Sequence, residues 1–219
     1  MLNDGATVAW EALGVLAMEH ADGAGASSRP FSKDRTGFAL GEGAAAMVLE
    51  GHDEMRSRGA QFIAEVTGYG ASSHAYNLTQ PAVDGQVRAI RVAVADAGVQ
   101  PKQIGDLNAH ATATPARDKI EIDAIKQAFS AHARRLAVSA TNSMQRHLVG
   151  TAGGLEVAIT VLALKKRRLP PAANLTSPDP DCDLDRVARK GPEAPQLEHA
   201  LSNSLAFGGS NAVLVAQRA

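Results

Sequence analysis

Two histidines carry the strongest chemical potential in this sequence of 219 residues. His110 stands in LNAHATATPARDKIEIDAI and His147 in TNSMQRHLVGTAGG. Each follows an apolar run of strand character and precedes a helix-like segment, so a layered sheet would deliver both to strand ends, where α/β folds bind ligands. Two imidazoles sharing a pocket could donate to a developing oxyanion or assist a decarboxylation. The competing reading is that each histidine caps backbone carbonyls at a sheet edge, and from spacing alone that reading is the stronger of the two. A third segment, NSLAFGGSN, also follows a strand-like run, so three loops are candidates to meet at one end of a sheet.

The elements that would position these loops follow from periodicity. QVRAIRVAVADAGV sets Val87, Ile90, Val94 and Ala97 on one helical face, and Gly98 supplies the C-terminal cap. IGDLNAH reads as a strand, and TPARDKIEIDAIKQAF as a helix with Pro115 in its first turn and Asp118 and Glu121 early, where the dipole favours acids. RRLAVSATNS reads as a further strand, and GTAGGLEVAITVLALKKRR as a helix apolar around most of its circumference, hence buried on several sides. Its KKRR end complements the dipole and faces water. LPPAANLTSPDPDCDLD is a long proline-rich loop, and HALSNSLAFGGSNAVLVAQ is two strands around a glycine turn.

Earlier in the chain, LNDGATVAWEALGVLAMEH reads as a helix with Val8, Ala12, Val15, Leu16 and Ala17 near one face. AAMVLE reads as a strand, HDEMRSRG as a short charged helix, and QFIAEVTGYGASS as a buried strand. Strands alternating with helices imply an α/β layered sheet, to which the final hairpin adds an antiparallel element.

Composition narrows the function classes. A net charge of −1 supplies no positive field for nucleic acid. One cysteine, Cys182, excludes an internal disulfide and a multi-cysteine metal site. No apolar run reaches the roughly 18 residues that span a bilayer, and no basic-then-apolar leader opens the chain. A cytoplasmic protein without a membrane or nucleic-acid partner is the expectation.

Four segments in order resemble the elongating β-ketoacyl-[acyl carrier protein] synthases of the thiolase superfamily. SRPFSKDRTGFALGEGAAAMVLE resembles that family's SRPFDKDRDGFVLGEGAG, and NAHATATPARDKIE its NAHGTSTPxGDxxE. NSMQRHLVGTAGGLE resembles KSMxGHxxGAAGxxE, and NSLAFGGSN resembles NSFGFGGTN. The resemblance implies a thiolase-like layered fold, here its C-terminal half, with a five-stranded mixed sheet flanked by helices. It runs from about Ser28 to the end, dividing the chain into residues 1–27, a helix-and-loop remnant of an N-terminal half, and 28–219, a ketosynthase C-terminal domain.

The implied reaction is decarboxylative Claisen condensation of a malonyl carrier with an acyl thioester, in fatty-acid or polyketide biosynthesis. His110 and His147 match the catalytic histidines, and Thr112 and Thr114 the threonines that bind the pantetheine arm. Phe207 matches a gating phenylalanine whose N–H joins the oxyanion hole, with Gly208 and Gly209 giving its loop a tight backbone. No cofactor is implied beyond the phosphopantetheine brought by an acyl carrier protein.

Several departures qualify the resemblance. The family's nucleophilic cysteine lies upstream of anything resembling this chain, and Cys182, among carboxylates in DPDCDLD, is disfavoured as a thiolate. Asn142 replaces a lysine whose acidic partner matches Glu156, leaving that carboxyl without its cation. Arg146 replaces the glycine before His147 and is a candidate to supply the charge instead. Ala111, Ala113 and Ala206 replace further small residues. The expected partners are therefore an acyl carrier protein and a separate N-terminal half, or a homo- or hetero-oligomer. The alternatives are a non-catalytic subunit of chain-length-factor type and a truncated inactive fragment.

Overall fold

The computed structural model describes residues 2–75, 77–184 and 191–219. Its centre is a five-stranded sheet in the order β1-β5-β4-β2-β3, formed by β1 (Ala64–Ser72), β2 (Ile104–Asn108), β3 (Ala137–Ser139), β4 (His199–Leu205) and β5 (Asn211–Arg218). β2 runs parallel to both β3 and β4, while β5 is antiparallel to β4 and β1, so the sheet is mixed. A five-stranded mixed sheet is what the resemblance implied, and strands alternating with helices before one closing hairpin are what the sequence pattern implied.

Helices cover both faces. α3 (Val83–Asp96) and α4 (Pro115–Phe129) pack on one face, joining Ile90, Val94, Ile122 and Ile125 to Leu107, Val138, Leu201, Val213 and Val215 in the main core. α6 (Ala152–Lys166) covers the other face, where Leu164 meets Ala200 and Ala216. The alternation along β5 explains both contacts, because Val213 and Val215 point one way and Ala216 the other. Gly98, at φ +65°, follows the Ala97 C-cap and turns the chain out of α3, and α4 starts with Thr114 as N-cap and Pro115 at its first position. The proline-rich loop is irregular where described, and its last residue, 185, lies outside the described residues.

The structure corrects four expectations. α1 spans only Asp4–Ala12, capped by Asn3 Oδ1 on the Ala6 N–H at 2.9 Å, and buries no residue; Gly14, at φ +63°, turns the chain so that Leu16 instead bridges Phe38. AAMVLE forms no strand, and Val48 is 98% exposed, because no neighbouring strand is present among the described residues to pair with it. β1 is an edge strand exposed on alternate residues rather than buried. α6 is buried only toward the sheet, with Leu162 48% exposed, since one layer and not two covers it. The short helix α2 (His52–Ser57) forms as expected. No helix among the described residues is long and apolar enough to cross a membrane.

A close backbone approach joins α3 to β1. A Cβ on Gly70 would lie 2.1 Å from the Ala89 carbonyl oxygen and 2.6 Å from the Ala93 nitrogen, both backbone atoms that can yield only by moving the helix. Gly70→Ala is expected to destabilise the protein by about 1–3 kcal/mol, read as a lower denaturant midpoint with an unchanged slope.

Candidate active site

The loop leaving β2 alternates in side-chain environment. Ala109, Ala111 and Ala113 turn into the core at 0%, 1% and 0% exposure, while His110, Thr112 and Thr114 line a cavity on the other side. The small residues let the chain pass close over the core, and the alternation then presents one imidazole and two hydroxyls to the same space. This geometry has a conformational cost, because Ala111 and Ala113 sit at φ +31° and +64°. A buried carboxyl offsets it. Glu121 on α4 accepts the His110 N–H at 2.9 Å and the Ala111 N–H at 2.8 Å, and Asn203 on β4 donates to the same carboxyl at 2.6 Å.

His147 arrives from a second direction. The short helix α5 (Asn142–Gln145) ends at Arg146, whose φ of +66° and ψ of 177° reverse the chain. The His147 N–H then donates to the Ala39 carbonyl at 2.8 Å, and its own carbonyl accepts from Gly41 at 3.0 Å. Phe38 packs edge-on against the imidazole at 5.1 Å, and Trp10 backs both Phe38 and Phe207. Residues from the first 40 positions thus build one wall of the cavity.

The two imidazoles meet. Their centroids are 5.3 Å apart at an interplanar angle of 87°, and both line a cavity of about 940 Å³ with Thr112, Thr114 and Phe207. Neither Nδ1 has a hydrogen-bond partner among the described residues, so the rings do not serve as caps for backbone carbonyls through that atom. The hydroxyls of Thr112 and Thr114 are likewise unpartnered. Gly208 and Gly209, at φ +70° and +73°, carry the chain around the mouth beside Phe207, and a Cβ on Gly209 would strike the His74 ring at 2.2 Å.

Burial and mutual repulsion set the charge here. Desolvation, then the neighbouring His147 and Arg117, hold His110 well below its ordinary value; desolvation and Arg117 lower His147 to about 4. Both rings are neutral at pH 7, so each offers one N–H and one lone pair. Two neutral N–H donors facing a cavity can hold a carbonyl oxygen as it gains charge.

Beneath the rings lies a polar network with no paired cation among the described residues. Asn142 donates from Nδ2 to the His110 carbonyl and, at 2.8 Å, to Glu156 Oε1, while Ser204 donates to Glu156 Oε2 at 3.2 Å. Asn108 joins it by donating to the Glu156 carbonyl and accepting from Thr141. Glu156 is therefore hydrogen-bonded rather than bare, and burial pushes its carboxyl up to about 8. Arg146 does not serve it, since its side chain is exposed and forms no ion pair among the described residues. Its left-handed turn aims it away from the buried network.

Two important residues escaped the sequence reading. Asp118 and Glu121, taken as dipole complements, are instead buried anchors: Asp118 accepts the Phe31 N–H at 2.9 Å as Glu121 accepts those of the histidine loop. Their signal was present, since residues 118, 121, 122, 125 and 129 share one helical face with the buried apolar residues. Arg117 also lines the cavity, with its guanidinium carbon 4.8 Å from the Phe207 ring centre; it stands where the resembled motif has glycine. Cys182 is fully buried in the main core and does not line the cavity.

Two measurements test this electrostatic and conformational account. Glu156 keeps its proton in the fold at pH values where an unfolded glutamate has lost it, so its contribution to stability is present below about pH 4.5 and lost as pH rises through about 8. Glu156→Gln should leave denaturation near pH 5 little changed and raise stability at pH 8.5 by about 2 kcal/mol or more. Arg146 occupies a backbone region nearly confined to glycine, so Arg146→Gly should stabilise the protein by about 1–2 kcal/mol in the same assay.

Comparison with known proteins agrees with this geometry. Residues 63–176 match the family model described as beta-ketoacyl synthase, C-terminal domain. Nodulation protein E of Rhizobium sp. (strain N33) is 44% identical over 206 residues, covering 94% of this chain and 49% of that protein. A 3-oxoacyl-[acyl-carrier-protein] synthase 2 of Staphylococcus aureus is 44% identical over 189 residues, covering 85% of this chain and 47% of that one. The chain spans about half the length of the curated relatives it matches. Among solved structures, a type II polyketide ketosynthase in complex with its acyl-carrier protein (AntDE:AntF) superimposes with a TM-score of 0.96 at 31% identity, covering 100% of this chain and 54% of that chain. With the thiolase-like fold and the matched domain in agreement, this chain belongs to the β-ketoacyl synthase family and carries its C-terminal domain.

Proposed function

We propose that this domain supplies the histidine side of an active site for decarboxylative Claisen condensation, in which a malonyl group on an acyl carrier protein extends an acyl thioester. The observation that carries the reading is the meeting of His110 and His147, 5.3 Å apart, over one cavity with free threonine hydroxyls beside them.

The chemistry follows from those groups. The malonyl thioester enters with its pantetheine arm along Thr112 and Thr114, whose hydroxyls donate to and accept from its amides. Its thioester oxygen receives N–H bonds from the neutral imidazoles. The bond to the carboxylate breaks, carbon dioxide leaves, and the electron pair passes to the α-carbon and the enolate oxygen that the imidazoles stabilise. The α-carbon then attacks the carbonyl carbon of the acyl thioester, whose oxygen the Phe207 N–H helps to hold. Collapse of that adduct expels the thiolate and leaves a β-ketoacyl thioester on the carrier.

Cys182 is buried away from the cavity, so the sulfur bearing the acyl group is supplied from outside the cavity-lining residues, by an N-terminal half or a partner subunit. The open face of α6 and the exposed 47–49 segment are the surfaces such a half would cover. Residues 28–219 form the domain proper in this reading, and 1–27 belong with the half that covers it.

Carbon dioxide release from malonyl-pantetheine, measured for this chain with the cysteine-bearing half of a similar ketosynthase, tests the proposal. His110→Ala and His147→Ala should each lower kcat by about 10²-fold or more, while Thr112→Val should act mainly on KM. Release indifferent to both histidines would overturn it.

A further inference from the structure

Arg117 brings a permanent cation to a cavity that otherwise has none. Its guanidinium makes one long hydrogen bond, to the Thr79 carbonyl at 3.3 Å, and lies over the Phe207 ring at 4.8 Å. It forms no ion pair among the described residues, whereas Arg35, on the far side of the same helix start, faces both Asp118 and Asp179. No other lysine, arginine, aspartate or glutamate lines the cavity among the described residues. Four of its five N–H donors therefore have no partner among the described residues, and a planar fork with such donors is matched to a carboxylate. The buried carboxyl of Glu121 acts on it only through space, is pushed up to about 7 and already accepts three other donors, so an anionic ligand at the cavity face of the guanidinium gains a direct partner.

We infer that Arg117 is a specificity-determining residue that binds the free carboxylate of a malonyl-type thioester, a role that rests on the condensation reading above. In such a unit the carboxylate is one carbon from the thioester carbonyl. The oxygen of that carbonyl goes to the imidazoles and the carboxylate to the guanidinium, so both ends are read within one small group. Acetyl and longer acyl thioesters lack the second contact and are discriminated against at this position. Because the carboxylate loses its charge as carbon dioxide leaves, Arg117 favours the bound substrate over the transition state. It sharpens selection rather than speeding the chemical step.

Calorimetric titration of the chain with malonyl-pantetheine, its neutral methyl ester and acetyl-pantetheine tests this directly. The malonyl compound should bind about tenfold or more tightly than either neutral one. Arg117→Gln should bring that ratio to about one without weakening acetyl-pantetheine, and Arg117→Lys should restore part of it. Equal affinities in the unaltered chain, or a preference that survives Arg117→Gln, would overturn the inference while leaving the condensation reading intact. Failure of all three compounds to bind would overturn the inference, while the condensation reading stands or falls on carbon dioxide release with the cysteine-bearing half. Adding the phosphate, as acetyl-phosphopantetheine, should give no Arg117-dependent gain; such a gain would assign the guanidinium to the phosphate and contradict the carboxylate assignment.

Discussion

The site depends on one buried carboxyl. Glu121 holds the N–H groups of His110 and Ala111 and the amide of Asn203, so a single side chain on α4 ties the loop after β2 to the end of β4. Without it, two alanines at positive φ would have no reason to keep that shape, and the alternation that sends methyl groups into the core and His110, Thr112 and Thr114 into the cavity would be lost. Three donors favour the ionised carboxylate, but burial opposes them more strongly and pushes Glu121 up to about 7. The anchor is thus a hydrogen-bond acceptor first and a charge second, and most of its worth lies in satisfying the buried backbone donors of the histidine loop.

The same economy of charge runs through the layer beneath the rings. Asn142 occupies the place of a lysine in the resembled motif, yet it still spans from the His110 carbonyl to Glu156. The substitution keeps the hydrogen-bond geometry and removes the cation, and Glu156 responds by holding its proton. A neutral amide facing a neutral carboxyl avoids the desolvation cost that a buried ion pair carries. Burial does most to keep both imidazoles unprotonated; from the cavity side His147 and Arg117 add to it at His110, and Arg117 at His147.

Much of this was legible in the residues. Helices α3 and α4 were readable because apolar spacing, proline and glycine agree on their faces and ends, and the closing hairpin because two apolar runs flank a glycine turn. The histidine pair was readable as residue type and strand-end position, and the four-segment resemblance carried the rest. What failed has common physical causes. AAMVLE has the composition of a strand, but a strand needs a neighbour, and none stands beside it among the described residues. Arg146 looked able to rescue Glu156 because sequence distance says nothing of a left-handed turn that throws its side chain outward. Glu121 and Asp118 were placed correctly along their helix, but the dipole argument leaves their facing open, since an acid in a first turn fits the dipole whichever way it faces.

The central claim is that His110 and His147 stand together as neutral donors over one cavity. Nitrogen-15 NMR of the imidazoles, followed from pH 5.5 to 8 and assigned with single histidine variants, tests it most directly. The account predicts that both rings keep the shifts of a neutral tautomer across the whole range. Protonation of either ring with a midpoint near 6.5 would contradict it.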